Sequence, residues 1–417
     1  MSPMLIALII LIATVALFIF EPVPLMVTSI AASLLYAFFG LIEIKDIFAS
    51  YATNTNVLMV AMMIIGASMF HSGLSELIGE NMAKYIKGSE KRAILVTMFA
   101  SCALSSVCTN IGVMTALAPL CTAMCLSSGI PPSKVLLSLL FGAQLGGFNT
   151  LVGVPSNVLA NSLMVGAGYE SFGLFSITPF GVTCCIVGAL YFAFIGSKML
   201  RDTGYIPEFA QTDRKPLDKR KATITVITLF VVLAVIAFSP KALPMHLAAV
   251  IGSLVIIGTK CMTVKEATNS VDWNCLFLMG SLSAISAGLQ NSGVAGVIAD
   301  GVLKIFGENP STFLVTTVIF FAIAILTQFI SNTAAILLFM PIAISVAKSI
   351  GVNVHPVAMI ITLAGAASYA TPFAAPQNML AVGWTNYKFM DFVKIGVPMV
   401  ILTYVVVVLL LPVFLPY

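Results

Sequence analysis

Hydrophobic positions run almost without interruption along this chain, and the few polar positions that break them come in pairs. Apolar runs of about twenty residues, enough to cross a bilayer as a helix, recur from end to end. They are continuous rather than alternating, which excludes a β-barrel and predicts membrane-crossing helices. The pattern predicts ten full crossings, at 4–20, 24–41, 55–71, 134–167 and 176–198, then at 222–239, 244–259, 273–290, 355–386 and 393–415. Two further apolar stretches, 92–127 and 311–349, carry a polar motif in mid-run. These are expected to be re-entrant hairpins with the motif at the tip, covered by protein or a water-filled cavity. Two crossings should be broken. The segment from Gly142 to Pro155 is too rich in glycine for an unbroken helix, and the segment from Ala370 to Pro376 holds Pro372 and Pro376, which remove backbone donors.

The polar breaks repeat. Cys108-Thr109-Asn110-Ile111 is followed by Pro119, and Ile330-Ser331-Asn332-Thr333 by Pro341; the two asparagines stand 222 residues apart. Pro155-Ser156-Asn157 is answered by Pro376-Gln377-Asn378, 221 residues on. Ser105 pairs with Thr327, and His71-Ser72-Gly73 with Asn291-Ser292-Gly293. The chain therefore divides into a first repeat over 1–200, a linker over 201–221 and a second repeat over 222–417. Scaffold helices occupy 4–71 and 222–290. Five crossings is an odd number, so the repeats must be inverted. The fold class expected is an all-α polytopic membrane protein of two inverted-topology repeats, each with one re-entrant hairpin and one broken helix.

Loop charge orients it. With the N-terminus outside, sixteen Lys and Arg residues fall in inner loops and four (Lys45, Lys241, Lys304, Lys348) in outer ones, which makes the linker cytoplasmic. The amphipathic segments 73–90 and 293–308 are expected to lie at the two interfaces as arms to the hairpins. The first apolar run lacks a basic n-region, so it reads as a retained helix in a cell-membrane protein rather than a signal peptide.

Composition agrees: 59% of residues are hydrophobic and 9% charged. The net charge of +4 is loop charge and does not point to nucleic acid. The cysteines sit mostly inside apolar runs without metal-ligand spacing and read as packing residues. No paired Ser/His, His/Glu metal spacing or acid dyad occurs in the spans, so the chain does not read as an enzyme. His71 and Asp272 read as interfacial residues at span ends.

The chemistry lies at the breaks. A hairpin tip ends one half-helix, whose free carbonyls favour a cation, and begins another, whose free N–H groups favour an anion. Ser331, Asn332 and Thr333 stand between them with both donors and lone pairs. Ser105 with Thr109, and Thr327 with Ser331, place two hydroxyls on one helical face beside a tip. Polar residues in membrane helices often only join helices, at about 0.6 kcal/mol per contact. Four asparagines (Asn110, Asn157, Asn332, Asn378) in repeat-related positions beside helix breaks instead indicate a site at the midplane. The interiors of the spans hold no Asp, Glu, Lys or Arg, which argues against a proton relay. A doubly charged anion in such a site is better held with cations beside it, a physical reason to expect sodium.

At these motifs the chain resembles the divalent-anion/sodium symporter (DASS) family of the ion transporter superfamily. The resemblance covers nearly the whole layout and is most specific at Ser331-Asn332-Thr333-Ala334-Ala335 and Pro376-Gln377-Asn378. It implies one sodium site at Ser105, Thr109, Asn110 and the carbonyl of Gly153. It implies a second at Thr327, Asn332 and the carbonyls of Ile330 and Ala374. Substrate would meet Thr109, Asn110, Ser331, Asn332, Thr333 and the surroundings of Pro155 and Pro376, with Asn157 and Asn378 in support. It also implies a homodimer with an elevator motion, and the spans 24–41 and 244–259 are candidates for the dimer surface. One departure stands out: Thr109-Asn110-Ile111 replaces the family's Ser-Asn-Thr at the first tip, so Ile111 removes a hydroxyl.

The function expected is a secondary active transporter that moves a di- or tricarboxylate or sulfate with sodium, without an organic cofactor. A proton-coupled permease, an arsenite or cation/proton antiporter of the same superfamily, and a channel are the competing readings.

Overall fold

The computed structural model describes residues 2–20, 22–86, 88–207, 217–238, 243–294, 311–349 and 351–416, and every regular element among them is helical. The first half contains α1 (Pro3–Phe20), α2 (Leu25–Phe38), α3 (Ile44–Tyr51), α4 (Asn54–His71), α5 (Leu74–Ile86), α6 (Glu90–Ser105), α7 (Asn110–Ser127), α8 (Pro132–Gly146), α9 (Pro155–Gly166) and α10 (Thr178–Tyr191). A π turn over Phe192–Gly196 carries α10 on to Met199. The second half contains α11 (Lys219–Phe238), α12 (Met245–Gly258), α13 (Val264–Asn269), α14 (Trp273–Asn291), α15 (Thr312–Leu326), α16 (Asn332–Ser349), α17 (Val354–Ala366), α18 (Pro376–Thr385) and α19 (Phe389–Phe414). The expected first arm is α5; the second, 293–308, lies almost wholly outside the described residues, as do Lys304 and the middle of the linker.

Among the described residues, six helical stretches are long and apolar enough to cross a membrane: Ile44–His71, Asn110–Ser127, Thr178–Met199, Lys219–Phe238, Asn332–Ser349 and Phe389–Phe414. This differs in detail from the ten crossings expected. The runs at 24–41 and 244–259 form the 14-residue helices α2 and α12, about 21 Å at 1.5 Å per residue. Both start just after a proline (Pro24, Pro244), and α2 stops before Gly40 at φ +72°, a conformation that suits glycine because it has no Cβ. Apolar run length overestimates a helix whose ends are fixed by such residues.

The breaks stand where the sequence put them. Helix α8 stops at Gly146 and α9 starts at Pro155, while α17 stops at Ala366 and α18 starts at Pro376. Both prolines occupy the first helical position, where the missing N–H has no intrahelical partner to lose. Helices α6 and α8 pack closely because Gly142 and Gly146 lie against Met98 and Cys102, where any Cβ would overlap the backbone; this is the small-xxx-small packing of membrane helices. Gly181 of α10 sits in the same way on the Phe148 carbonyl, and Gly396 of α19 on that of Tyr369. Each break is thus backed by a later helix through a glycine.

Contacts between loops are local. His71 Nδ1 lies 3.3 Å from Glu266, and the Asp218 N–H donates to the Ser72 carbonyl. Tyr387 donates to the Arg201 carbonyl at 2.7 Å, Thr203 to the Thr385 carbonyl at 2.7 Å, and Ser133 to the Arg201 carbonyl, next to the Lys134–Glu90 ion pair at 2.9 Å. Elsewhere Asn291 reaches the Leu41 carbonyl, His355 approaches the Glu170 carbonyl, and Lys348 lies over the Tyr169 ring.

The Cys102 and Cys185 side chains meet between α6 and α10 in the packed interior. Spacing gave no sign of it, because helix packing brings them together across 83 residues. Cys108, Cys121, Cys125 and Cys184 are buried and free, as packing residues should be.

Candidate functional site

Each tip is built from the end of one helix, a short turn and the start of the next. At the first, α6 ends at Ser105 and α7 begins at Asn110. The Ser105 hydroxyl donates to Asn110 Oδ1, and both side chains are buried. The Thr109 hydroxyl caps α7 by accepting the Gly112 N–H at 3.2 Å. Asn110 Oδ1 faces Gly147 in the first break, where a Cβ would lie 3.4 Å from it.

The second tip reproduces this. Thr327 Oγ1 lies 2.7 Å from Asn332 Oδ1 and 2.9 Å from the Gly365 carbonyl. Three oxygens therefore meet with one proton among them. Ser331 caps α16 through the Ala334 N–H. Asn332 turns its Nδ2 to Ser368 Oγ at 3.3 Å. Thr333 and Ile330 are half-buried next to the tip.

The two supporting asparagines do the same work in each break. Asn157 Nδ2 donates to the carbonyls of Gly147 and Thr150, at 3.0 and 3.3 Å. Asn378 Nδ2 donates to those of Ser368 and Thr371, at 2.9 and 2.8 Å. Each holds an unwound strand of backbone to the helix that follows it. Such carbonyls have no helical partner and, at membrane depth, no water. Neither α9 nor α18 has a side-chain cap. With proline at the first position and the Asn157 and Asn378 N–H groups bonded to the Val154 and Ala375 carbonyls, the N–H groups of Ser156 and Gln377 are the ones left to a ligand. Pro155 is half-buried and Pro376 exposed at these starts; Gly153 and Ala374 are buried in the breaks just before them.

Several polar residues that motif reading passed over tie tips to breaks. Gln328 donates to the Ala367 carbonyl at 2.9 Å and accepts the Ala370 N–H at 2.8 Å, while the Thr371 hydroxyl donates to the Gln328 carbonyl. In the first half Thr150 donates to the Ser106 carbonyl at 2.5 Å, and Asn149 to Ser106 Oγ at 2.8 Å. A polar residue one or two positions before each tip was the signal available. The halves also interlock: α16 packs against α9, and α18 against α7 and α8. Each break thus faces elements of the opposite half.

Ile111 is 41% exposed in the first turn of α7, where α16 carries Thr333. Segments 93–127, 135–166, 311–347 and 354–387 contain no Asp, Glu, Lys or Arg, and among the described residues no cluster of His, Cys, Asp or Glu could hold a metal ion. The site works with dipoles, amides and hydroxyls.

Comparison with known proteins places this architecture. The model of the citrate transporter family (CitMHS) matches residues 15–364 and again 236–417. The chain belongs to this family. It is a secondary transporter and not an enzyme, in line with the resemblance to anion symporters of the ion transporter superfamily. The uncharacterized transporter YfbS of Escherichia coli (strain K12) is 20% identical and is matched over 92% of this chain and 94% of its own length. An uncharacterized transporter of Haemophilus influenzae is 25% identical, over 90% of this chain and 84% of its own. Sodium/sulfate cotransporter 2 of Chlamydomonas reinhardtii is 27% identical over a shorter stretch, 36% of this chain and 17% of that protein. In fold, the chain resembles the crystal structure of the YdaH transporter of Alcanivorax borkumensis, with a TM-score of 0.66 over 88% of this chain and 87% of that one at 15% identity.

Proposed function

We propose that this member of the citrate transporter family is an elevator-type symporter, moving a di- or tricarboxylate or sulfate together with sodium across the cell membrane. The observation that carries the reading is the oxygen cluster repeated at the two tips, Ser105 with Asn110 and Thr327 with Asn332 and the Gly365 carbonyl. At the second tip three oxygens share one proton, an arrangement that suits a hard monovalent cation, and the first tip offers the matching hydroxyl–amide pair. One sodium would use Ser105, Thr109, Asn110 and the Gly153 carbonyl. The other would use Thr327, Asn332 and the carbonyls of Ile330, Ala374 and Gly365. The anion would lie between the tips, against Thr109, Asn110, Ser331, Asn332 and Thr333 and the open helix starts at Pro155 and Pro376. Its charge is met by helix N-termini and by the sodium ions beside it. The relative named as a sodium/sulfate cotransporter supports both ion and anion.

The membrane arrangement is part of the proposal. Helix pairs α6–α7 and α15–α16 re-enter from opposite faces, and the two five-crossing repeats are inverted. The excess of Lys and Arg in one set of loops, Lys134 and Arg201 among them, supports this. The hairpins and broken helices would move as one body against a dimeric scaffold.

The test is uptake of labelled citrate and succinate into proteoliposomes with an inward sodium gradient, and with potassium in its place. Uptake that needs sodium and is inhibited by unlabelled sulfate or by the other carboxylate is the expected result. Uptake indifferent to sodium but driven by a proton gradient would replace this reading with a proton-coupled one.

A further inference from the structure

Within the site, one side chain crosses from the first half to the second. Gln144, near the end of α8, is 2% exposed. Its Nε2 donates to the Ser368 carbonyl at 2.9 Å and to Asn378 Oδ1 at 2.8 Å. Ser368 Oγ accepts from Asn332, and Asn332 Oδ1 takes the Thr327 hydroxyl. Gln144 also lies one turn before Gly147, the residue that Asn110 Oδ1 faces. A chain of hydrogen bonds therefore runs from Gln144 at the edge of the first break to the second break and the second tip.

The link has no reciprocal. The residue 222 positions beyond Gln144 is Ala366, which has no side-chain donor. The partner asparagines differ accordingly: Asn378 Oδ1 is satisfied by Gln144, whereas Asn157 Oδ1 is buried without a partner. The orientation of Gln144 is fixed by its two donor bonds, because both partners are acceptors and its own Oε1 is buried without a partner. In a site without charged side chains, such amide contacts are what hold the binding oxygens in place.

We propose that Gln144 is a positioning residue that sets the geometry of the second tip from the first half of the chain. The inference rests on the site reading given above. A hydrogen bond acting through an intermediate is exposed by non-additivity between substitutions.

The experiment follows the melting temperature of the purified full chain in detergent against sodium concentration, since a ligand that binds the native state raises it. Variants are Gln144→Leu, Gln144→Glu, Asn332→Ala, Asn110→Ala and the double combinations. Gln144→Glu keeps shape and volume but sets an acceptor against two acceptors, which separates hydrogen bonding from packing. Either Gln144 change should raise the sodium midpoint about five- to tenfold, the worth of one buried hydrogen bond. That rise should vanish in the Asn332→Ala background and persist in the Asn110→Ala background. Equal additivity in both backgrounds, or an unchanged midpoint in folded protein, would overturn the proposal. If citrate stabilises the wild type and sodium does not, the sodium reading fails, and the same cycle read with citrate still decides the role of Gln144. A wild type that answers neither ligand overturns the site reading and this inference with it.

Discussion

Thr327→Val removes a hydroxyl and leaves shape almost unchanged, so its effect can be worked from two distances. Thr327 Oγ1 sits 2.7 Å from Asn332 Oδ1 and 2.9 Å from the Gly365 carbonyl, and Thr327 is fully buried. Without ion, the change deletes one donor and leaves two acceptors facing a methyl group. A buried acceptor left unpaired costs about 1–3 kcal/mol, which should appear as a lower melting temperature. With sodium bound, the same oxygen is one of its ligands. Interactions with a charged group are worth about 1.5–3 kcal/mol, so the sodium midpoint should rise about 10- to 100-fold at 1.4 kcal/mol per decade. The assay is initial uptake into proteoliposomes as a function of external sodium, with Thr327→Ser as the control that keeps the hydroxyl. The serine variant should stay near the wild-type midpoint. A folded valine variant with wild-type sodium dependence would refute the assignment of Thr327 to an ion site.

Two further predictions bear on specificity and fold. Ile111→Thr restores a hydroxyl to the first turn of α7 and should lower KM for succinate relative to citrate several-fold in competition uptake; an unchanged ratio would place Ile111 outside the substrate's reach. Gly396→Ala should lower the melting temperature of the detergent-purified protein, by the 1–3 kcal/mol typical of overpacking, because its Cβ would meet the backbone of Tyr369 and Ala370. Gly383→Ala, inside α18 with open space around it, is the matched control and should be neutral or slightly stabilising; equal effects at both positions would contradict the close backing of the second break by α19.

Asparagine spacing, glycine density and proline position determined by themselves where this chain breaks. Each is a local property: Pro155 and Pro376 cannot lie within a continuing helix without losing a hydrogen bond, and they start α9 and α18. The tips were only partly legible. Ser105 with Thr109, and Thr327 with Ser331, were expected to share a helical face. Instead the helices end at Ser105 and Leu326, Thr109 and Ser331 cap the helices that follow, and Asn110 and Asn332 meet Ser105 and Thr327. Helix ends were less legible. Run length made α2 too long, because apolar residues continue past Phe38 to the turn at Gly40. Tertiary structure alone decided what meets across the halves. Gln144 with Asn378 and Ser368, Gln328 with the second break, and Cys102 with Cys185 are separated by tens to hundreds of residues. No periodicity records such pairs. They exist because α6 and α8 approach through Gly142 and Gly146, and because each break is packed against helices of the opposite half. The sequence could specify two sets of polar groups at membrane depth, but only packing could join them into one site.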